Sequence, residues 1–345
     1  MPDKIVDSAV EKDDLVIPLI DFSAFLSGTP TSQKTTAEAI LNGFQSAGFI
    51  YLKNHGISPS TLSTVFANSA KFFARPKEQK DALAWYSPEA NRGYTAQGRE
   101  KVSSLEELED IAELRKQVPD LKESIEIGRE GEPGMPNMWP ATDGDDEAKV
   151  FKEVMLDFHD TCKALHIQLM RAIAQGMGIE ASWFDGFTDG GDNTLRLLHY
   201  PEVSKSVFRR DDGQLQVRAG EHSDYGSLTL LFQDARGGLQ VRSPKGTWVD
   251  ATPIPDTIVI NAGDLLARWS NDTIKSTKHR VVEPPPKPED AAATSYPPRY
   301  SIAYFCNPNF EKVIEAIPGT FEESGKKYEG IKSGEYLVRR LTATY

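Results

Sequence analysis

The chain has 345 residues, 39% of them hydrophobic and 26% charged, with a formal net charge of −12. This is the composition of an ordinary soluble globular protein, and no apolar run is long enough to span a bilayer. The negative balance argues against binding a phosphate backbone, which needs a basic surface, so neither a nucleic-acid partner nor a membrane is expected. Cys162 and Cys306 are the only cysteines. They do not make a disulfide scaffold and read as small buried hydrophobes.

Residues 1–14 are polar and carry no apolar leader, which predicts a flexible tail and a cytoplasmic protein. Residues 17–22 form a short apolar strand candidate. Residues 35–47 place Ala37, Ile40, Leu41 and Phe44 at helical spacing, Gly48 stops that helix, and residues 49–52 read as a buried strand. A second amphipathic helix over 58–73 opens on a Ser-Pro-Ser cap signal. Residues 98–148, rich in Glu, Gly, Asp and Pro, read as mostly loop wrapped over the core. The longest helical pattern, 148–177, lines up Phe151, Met155, Phe158, Cys162, Leu165, Leu169 and Ile173.

From Thr194 the texture changes to short apolar runs separated by Gly, Pro and Asp, as an antiparallel double-stranded β-helix should read. A Pro-rich loop is expected over 283–298 and a closing helix over 333–342. The predicted fold is mainly β with flanking helices: a jelly-roll, cupin-like barrel inside an N-terminal helical shell. Residues 15–190 form the N-terminal region, 191–310 the catalytic jelly roll, and 311–345 the C-terminal extension and helix, all within one domain.

Within the barrel stands His222-Ser223-Asp224, followed much later by His279 and then by Arg299-Tyr300-Ser301. Two histidines and one carboxylate in this order are the ligand set of a facial-triad non-haem Fe(II) site. Residues i and i+2 of a strand share a face, so His222 and Asp224 can converge on one ion. Zinc hydrolases also use such ligands, but usually with the pair on a helix at i, i+4, so iron is preferred. Arg299 and Ser301 likewise share a face and offer a guanidinium fork and a hydroxyl to a carboxylate. A metal and an anion anchor in one sheet point to an enzyme with an acid co-substrate held at both ends.

The motifs Gly48-Phe49-Ile50-Tyr51-Leu52-Lys53-Asn54-His55-Gly56, Leu195-Arg196-Leu197-Leu198-His199-Tyr200-Pro201, Val259-Ile260-Asn261-Ala262-Gly263-Asp264 and Ser276-Thr277-Lys278-His279-Arg280-Val281 follow in this order. With them the chain resembles the Fe(II)/2-oxoglutarate-dependent dioxygenase superfamily, in the branch that includes isopenicillin N synthase. The resemblance implies Fe(II) on His222, Asp224 and His279. It also implies 2-oxoglutarate as co-substrate, with its distal carboxylate on Arg299 and Ser301 and a hydroxyl contribution from Tyr200, and O2 as oxidant. Turnover would give succinate and CO2 while a small organic metabolite, of secondary metabolism by expectation, is hydroxylated, desaturated or cyclised.

Arg268, Trp269, Phe305, Asn307, Tyr336 and Leu337 are the substrate-pocket candidates, with Arg268 and Trp269 expected on a strand. His55, His159, His166 and His199 read as packing residues. A lid is expected from residues 98–130 together with the helix near Tyr336. The protein is expected to be a monomer. Two alternatives stay open at this point: a 2-oxoglutarate-independent oxidase like isopenicillin N synthase, and a non-catalytic small-molecule receptor.

Overall fold

The structure is a computed structural model that describes residues 5–99, 120–209 and 216–344. In chain order the first strands are β1 (Val6–Lys12), β2 (Leu15–Asp21), β3 (Phe49–Lys53), β4 (Gly93–Thr95), β5 (Glu123–Gly128) and β6 (Thr194–Tyr200). They continue with β7 (Val203–Ser204), β8 (Ala219–His222), β9 (Leu228–Gln233), β10 (Leu239–Arg242), β11 (Trp248–Asp250) and β12 (Thr257–Ala262). The last are β13 (His279–Val281), β14 (Ser295–Tyr296), β15 (Arg299–Cys306), β16 (Val313–Ile314) and β17 (Ile331–Lys332). The helices are α1 (Ser23–Leu26), α2 (Pro30–Ser46), α3 (Pro59–Phe73), α4 (Lys77–Asp81), α5 (Asp146–Gly176), α6 (Asp185–Thr188), α7 (Asp264–Trp269) and α8 (Ser333–Thr344).

Nine strands form one sheet in the order β1-β2-β3-β12-β9-β15-β6-β5-β4, and four form a second in the order β11-β10-β13-β8. Side-chain alternation on the large sheet decides what lies on each side. On β15, Ile302, Tyr304 and Cys306 join the core under the helices, with Phe158, Leu165 and Leu169 of α5. Ala303 and Phe305 point the other way, into a cluster shared with Ala219, Leu239, Val241 and Val281 of the small sheet. The interior of the expected barrel is therefore the space between two sheets, and the helical shell covers only the outer face of the larger one.

The helices start where their caps dictate. Thr29 accepts from the Ser32 amide at 3.3 Å ahead of Pro30, and Ser58 from the Thr61 amide at 3.0 Å ahead of Pro59. Asp145 accepts from the Ala148 amide at 2.9 Å and opens the 31-residue α5. Gly48 turns α2 into β3 at φ +72°, where a Cβ would stand 2.4 Å from the Lys275 carbonyl oxygen.

Three elements differ from expectation. Val6–Lys12 is not a flexible tail but edge strand β1, antiparallel to β2 through a turn at Asp13 and Asp14, both with positive φ. Its outer side chains are solvated, so an edge strand reads like a tail. The region taken as loop contains β5, buried along its whole length. Its charges hide it: Glu123 pairs with Lys80 at 2.9 Å and with His199 at 2.7 Å, and Glu126 pairs with Arg196 at 2.8 Å. Arg268 and Trp269 lie on helix α7, not on a strand. No helix among the described residues is long and apolar enough to cross a membrane.

Candidate active site

His222 ends β8 directly opposite His279 on β13, and their rings stand 4.3 Å apart. Asp224 lies just past the end of β8, in a turn pinned to the start of α7. The Asp264 amide donates to the Asp224 carbonyl at 2.8 Å, and the Gly263 amide to that of Ser227 at 2.9 Å. The turn brings Asp224 Oδ1 to 3.8 Å from His222 Nε2 and 3.7 Å from His279 Nε2. Donor atoms of all three residues lie within 4.8 Å of one another, the one such cluster found among the described residues.

Each donor atom is freed by what its other end does. His222 Nδ1 meets the Gly220 carbonyl at 2.8 Å and His279 Nδ1 that of Thr277 at 3.3 Å. Each Nδ1–H thus donates to backbone, and the Nε2 lone pairs face the gap. Asp224 Oδ2 accepts from Thr229 Oγ1 at 2.5 Å and from Asn261 Nδ2 at 2.7 Å, which leaves Oδ1 turned inward. Burial, then the charge of His279, pushes the His222 imidazole down to about 3, so it stays neutral and able to ligate. Burial pushes the Asp224 carboxyl up, but the charge of His279 and the bonds from Asn261 and Thr229 outweigh it and keep it ionised. Two inward-facing imidazole nitrogens and one carboxylate on one side of a gap suit a divalent ion with open positions.

Arg299 and Ser301 sit deeper on β15, 1% and 2% exposed. Arg299 Nε donates to the Gly237 carbonyl at 3.1 Å and Nη1 to Ser301 Oγ at 3.2 Å, and the guanidinium stands 4.8 Å from the Tyr200 ring centre. Tyr200 faces Arg299 across the β6–β15 ladder.

Beside the triad opens a cavity of about 620 Å³. His222, Asp224, Tyr225, Arg196, Phe305 and Asn307 line its inner part, and Leu337, Val338 and Leu341 of α8 cover it. Of the pocket residues expected from sequence, Phe305, Asn307 and Leu337 border this cavity and the other three do not. Trp269, 1% exposed, packs edge-on against Phe184 at 4.9 Å and Phe187 at 5.0 Å. Arg268 points to the surface, over the Tyr328 ring at 4.6 Å and onto the Glu329 carbonyl. Tyr336 lies on the flank of α8 that faces a separate groove with Arg268.

Sequence reasoning passed over Arg196 and Tyr225. Counting back by twos along β6 from Tyr200 would have found Arg196, since 196, 198 and 200 share a face. Its Nη2 donates to Ser124 Oγ at 3.1 Å. The other histidines are structural in their surroundings: the ring of His55 accepts from the Ile57 amide at 3.3 Å, His159 meets the Asn193 carbonyl at 3.4 Å, and burial alone pushes His166 down to about 3. Of the expected lid, residues 100–119 lie outside the described residues, whereas α8 is docked on the triad turn. Arg340 binds Asp264 at 2.9 Å and lies 4.5 Å from the Tyr225 ring centre, and Thr344 Oγ1 meets the Tyr225 hydroxyl at 2.6 Å.

This barrel with its His-Asp-His cluster is that of a non-haem Fe(II) oxygenase, and comparison with known proteins agrees. Residues 17–142 match the family model for the non-haem dioxygenase in morphine synthesis N-terminal region, and residues 191–308 that for the 2OG-Fe(II) oxygenase superfamily. The chain belongs to the 2OG-Fe(II) oxygenase superfamily and is a 2-oxoglutarate-dependent dioxygenase, which sets aside the 2-oxoglutarate-independent oxidase and the receptor. It is 35% identical to the 2-oxoglutarate-Fe(II) type oxidoreductase ppzD of Metarhizium rileyi, over 94% of this chain and 90% of that protein. Among solved structures it resembles a full-length Neurospora crassa protein in complex with alpha-KG and thymine, with TM-score 0.89 and 63% identity over 98% of this chain and 100% of that one. The same Neurospora protein with alpha-KG and 5-formyluracil matches with TM-score 0.87 and 60% identity, over 98% and 99% of the two chains.

Proposed function

We propose that this enzyme oxidises the 5-methyl group of thymine or a closely related 5-substituted uracil. The observation that carries this reading is the 63% identity, over 98% of the chain, to the Neurospora crassa relative solved with thymine. The two pyrimidines in the structures of that relative, thymine and 5-formyluracil, differ only in the oxidation state of the carbon attached at ring position 5. In one turnover the methyl group, O2 and 2-oxoglutarate become a hydroxymethyl group, succinate and CO2. A second turnover on that carbon would give the aldehyde and water.

His222 Nε2, Asp224 Oδ1 and His279 Nε2 would hold Fe(II), which together with O2 and the oxo-acid supplies the oxidising power. Arg299 and Ser301 would clamp the distal carboxylate of 2-oxoglutarate, with Tyr200 packed against the guanidinium. The cavity suits a flat heterocycle with alternating carbonyl and N–H groups. Phe305 and Tyr225 offer aromatic faces, and Arg196 offers N–H donors to a carbonyl. Asn307 Oδ1 is buried without a hydrogen-bond partner among the described residues, an acceptor open to a ring N–H. The apolar side chains of α8 would keep water from the reacting carbon.

The net charge of −12 supports a free small molecule over a nucleic acid as substrate. A monomer in the cytoplasm completes the proposal. The test is incubation with thymine, Fe(II), 2-oxoglutarate and 18O2. One labelled oxygen in 5-hydroxymethyluracil, with succinate formed in step, is the expected result. No thymine-dependent succinate, from enzyme that binds 2-oxoglutarate normally, would overturn the substrate assignment.

A further inference from the structure

We propose that Arg218 is a second cation of the co-substrate pocket, closing on the distal carboxylate of 2-oxoglutarate from the sheet opposite Arg299. The proposal rests on the reading of Arg299 and Ser301 as the anion clamp. Arg218 immediately precedes β8, and its amide donates to the Val281 carbonyl of β13 at 2.8 Å, which fixes it to the small sheet. Its side chain is 1% exposed, and Nε, Nη1 and Nη2 all lack a hydrogen-bond partner among the described residues. The guanidinium stands 5.8 Å from the centre of the Tyr200 ring, the ring that also carries Arg299 at 4.8 Å.

A buried guanidinium with no acceptor is costly, and a second one nearby makes it worse. Burial, then the charge of Arg299, pushes the Arg218 guanidinium down to about 10. Among the described residues the carboxylate that attracts it, Asp234, already accepts from the Arg236 and Tyr300 amides at 2.8 and 2.7 Å. A second orphan points to the same place. Gln233, paired with Ser301 across the β9–β15 ladder, has both side-chain amide atoms buried and unpartnered among the described residues.

A carboxylate offers about four acceptor sites on two oxygens. Arg299 has already committed Nε to Gly237 and Nη1 to Ser301, so it cannot saturate such a group alone. Arg218 and Gln233 supply the missing donors. Among the described residues the Arg218 guanidinium thus has no hydrogen-bonded acceptor, and a bound anion would supply one, which selects oxo-acids carrying a second carboxylate over mono-acids of the same length.

The test is calorimetric binding to Mn(II)-loaded wild type, Arg218→Met and Arg299→Met, with 2-oxoglutarate and with 2-oxopentanoate, which lacks the distal carboxylate. Arg218→Met is expected to weaken 2-oxoglutarate about tenfold or more, leave 2-oxopentanoate nearly unchanged, and keep or raise the melting temperature of the ligand-free protein. Equal losses for both acids, or unchanged 2-oxoglutarate affinity in Arg218→Met while Arg299→Met loses it, would overturn the role of Arg218 and leave the clamp standing. Unchanged affinity in Arg299→Met would overturn the clamp and the proposal with it.

Discussion

At the scale of single residues, the proposed metal ligands depend on neighbours that would not touch the ion. Asn261 and Thr229 hold Oδ2 of Asp224 and so aim Oδ1. Asn261→Ala is expected to lower iron affinity by roughly 10–100-fold with the fold retained, measured by metal titration followed by circular dichroism. Iron binding at the wild-type level would mean that the orientation of Asp224 is fixed some other way. Glu123 carries a different consequence. Burial pushes its carboxyl up, but hydrogen bonds from His199, Lys80 and Tyr94 outweigh that and bring it down to about 2. A carboxylate held below its ordinary value stabilises the fold above that value and stops doing so as pH falls toward the folded one. Wild type is expected to exceed Glu123→Gln by on the order of 3 kcal/mol near pH 6, and the gap should close between about pH 5 and pH 2, in urea melts at each pH. A gap independent of pH would assign the loss to packing.

At the scale of elements, α8 borders the cavity and is held against the triad turn. It is amphipathic: Leu337 and Leu341 face the cavity, while Arg340 reaches Asp264 beside the triad turn. Arg340→Ala removes a part-buried, charge-assisted bond, about 1.5–3 kcal/mol of docking. The expected result is a higher KM for the organic substrate, more succinate formed per product, and faster hydrogen exchange across 333–344. Unchanged coupling with faster exchange would show that α8 moves without shielding the reaction. Sequence reasoning placed a helix here and associated it with the pocket, but chose Tyr336 alongside Leu337. One residue is about 100° of rotation on a helix, and only the docking contacts of Arg340 and Thr344 fix which side faces inward. The strand expected at Arg268 and Trp269 failed for a related reason: a short apolar run fits either a strand or a turn or two of helix.

At the scale of the whole molecule, the large sheet is shared by the helical shell and the barrel, so the two should unfold together. Phe158 of α5 stands edge-on to Phe232 of β9 at 5.2 Å, across the layer that a boundary would have to cut. Mn(II) with 2-oxoglutarate at about 100 times its dissociation constant should stabilise the protein by about 2.7 kcal/mol. That shift is expected to appear equally in far-ultraviolet circular dichroism and in tryptophan fluorescence, to which Trp183 and Trp269 contribute from the helical side. A helical transition that ignores the ligand would separate the shell from the barrel.

Local pattern and residue chemistry determine a definite share of this molecule. The helix with its Ser-Pro start, the long stripe of α5, the alternation that makes β15 two-faced, and the His-x-Asp with a distant His are periodic or chemically unusual enough to be read along the chain. What depends on partners distant in the chain waited for the folded arrangement. Strand β5 is legible only once Lys80, His199 and Arg196 neutralise its acids, and edge strand β1 only once β2 is beside it. Arg218 looks like any surface arginine until the opposite sheet closes over it. Burial is a property of what other segments do, and a linear pattern does not encode which charges those segments will enclose.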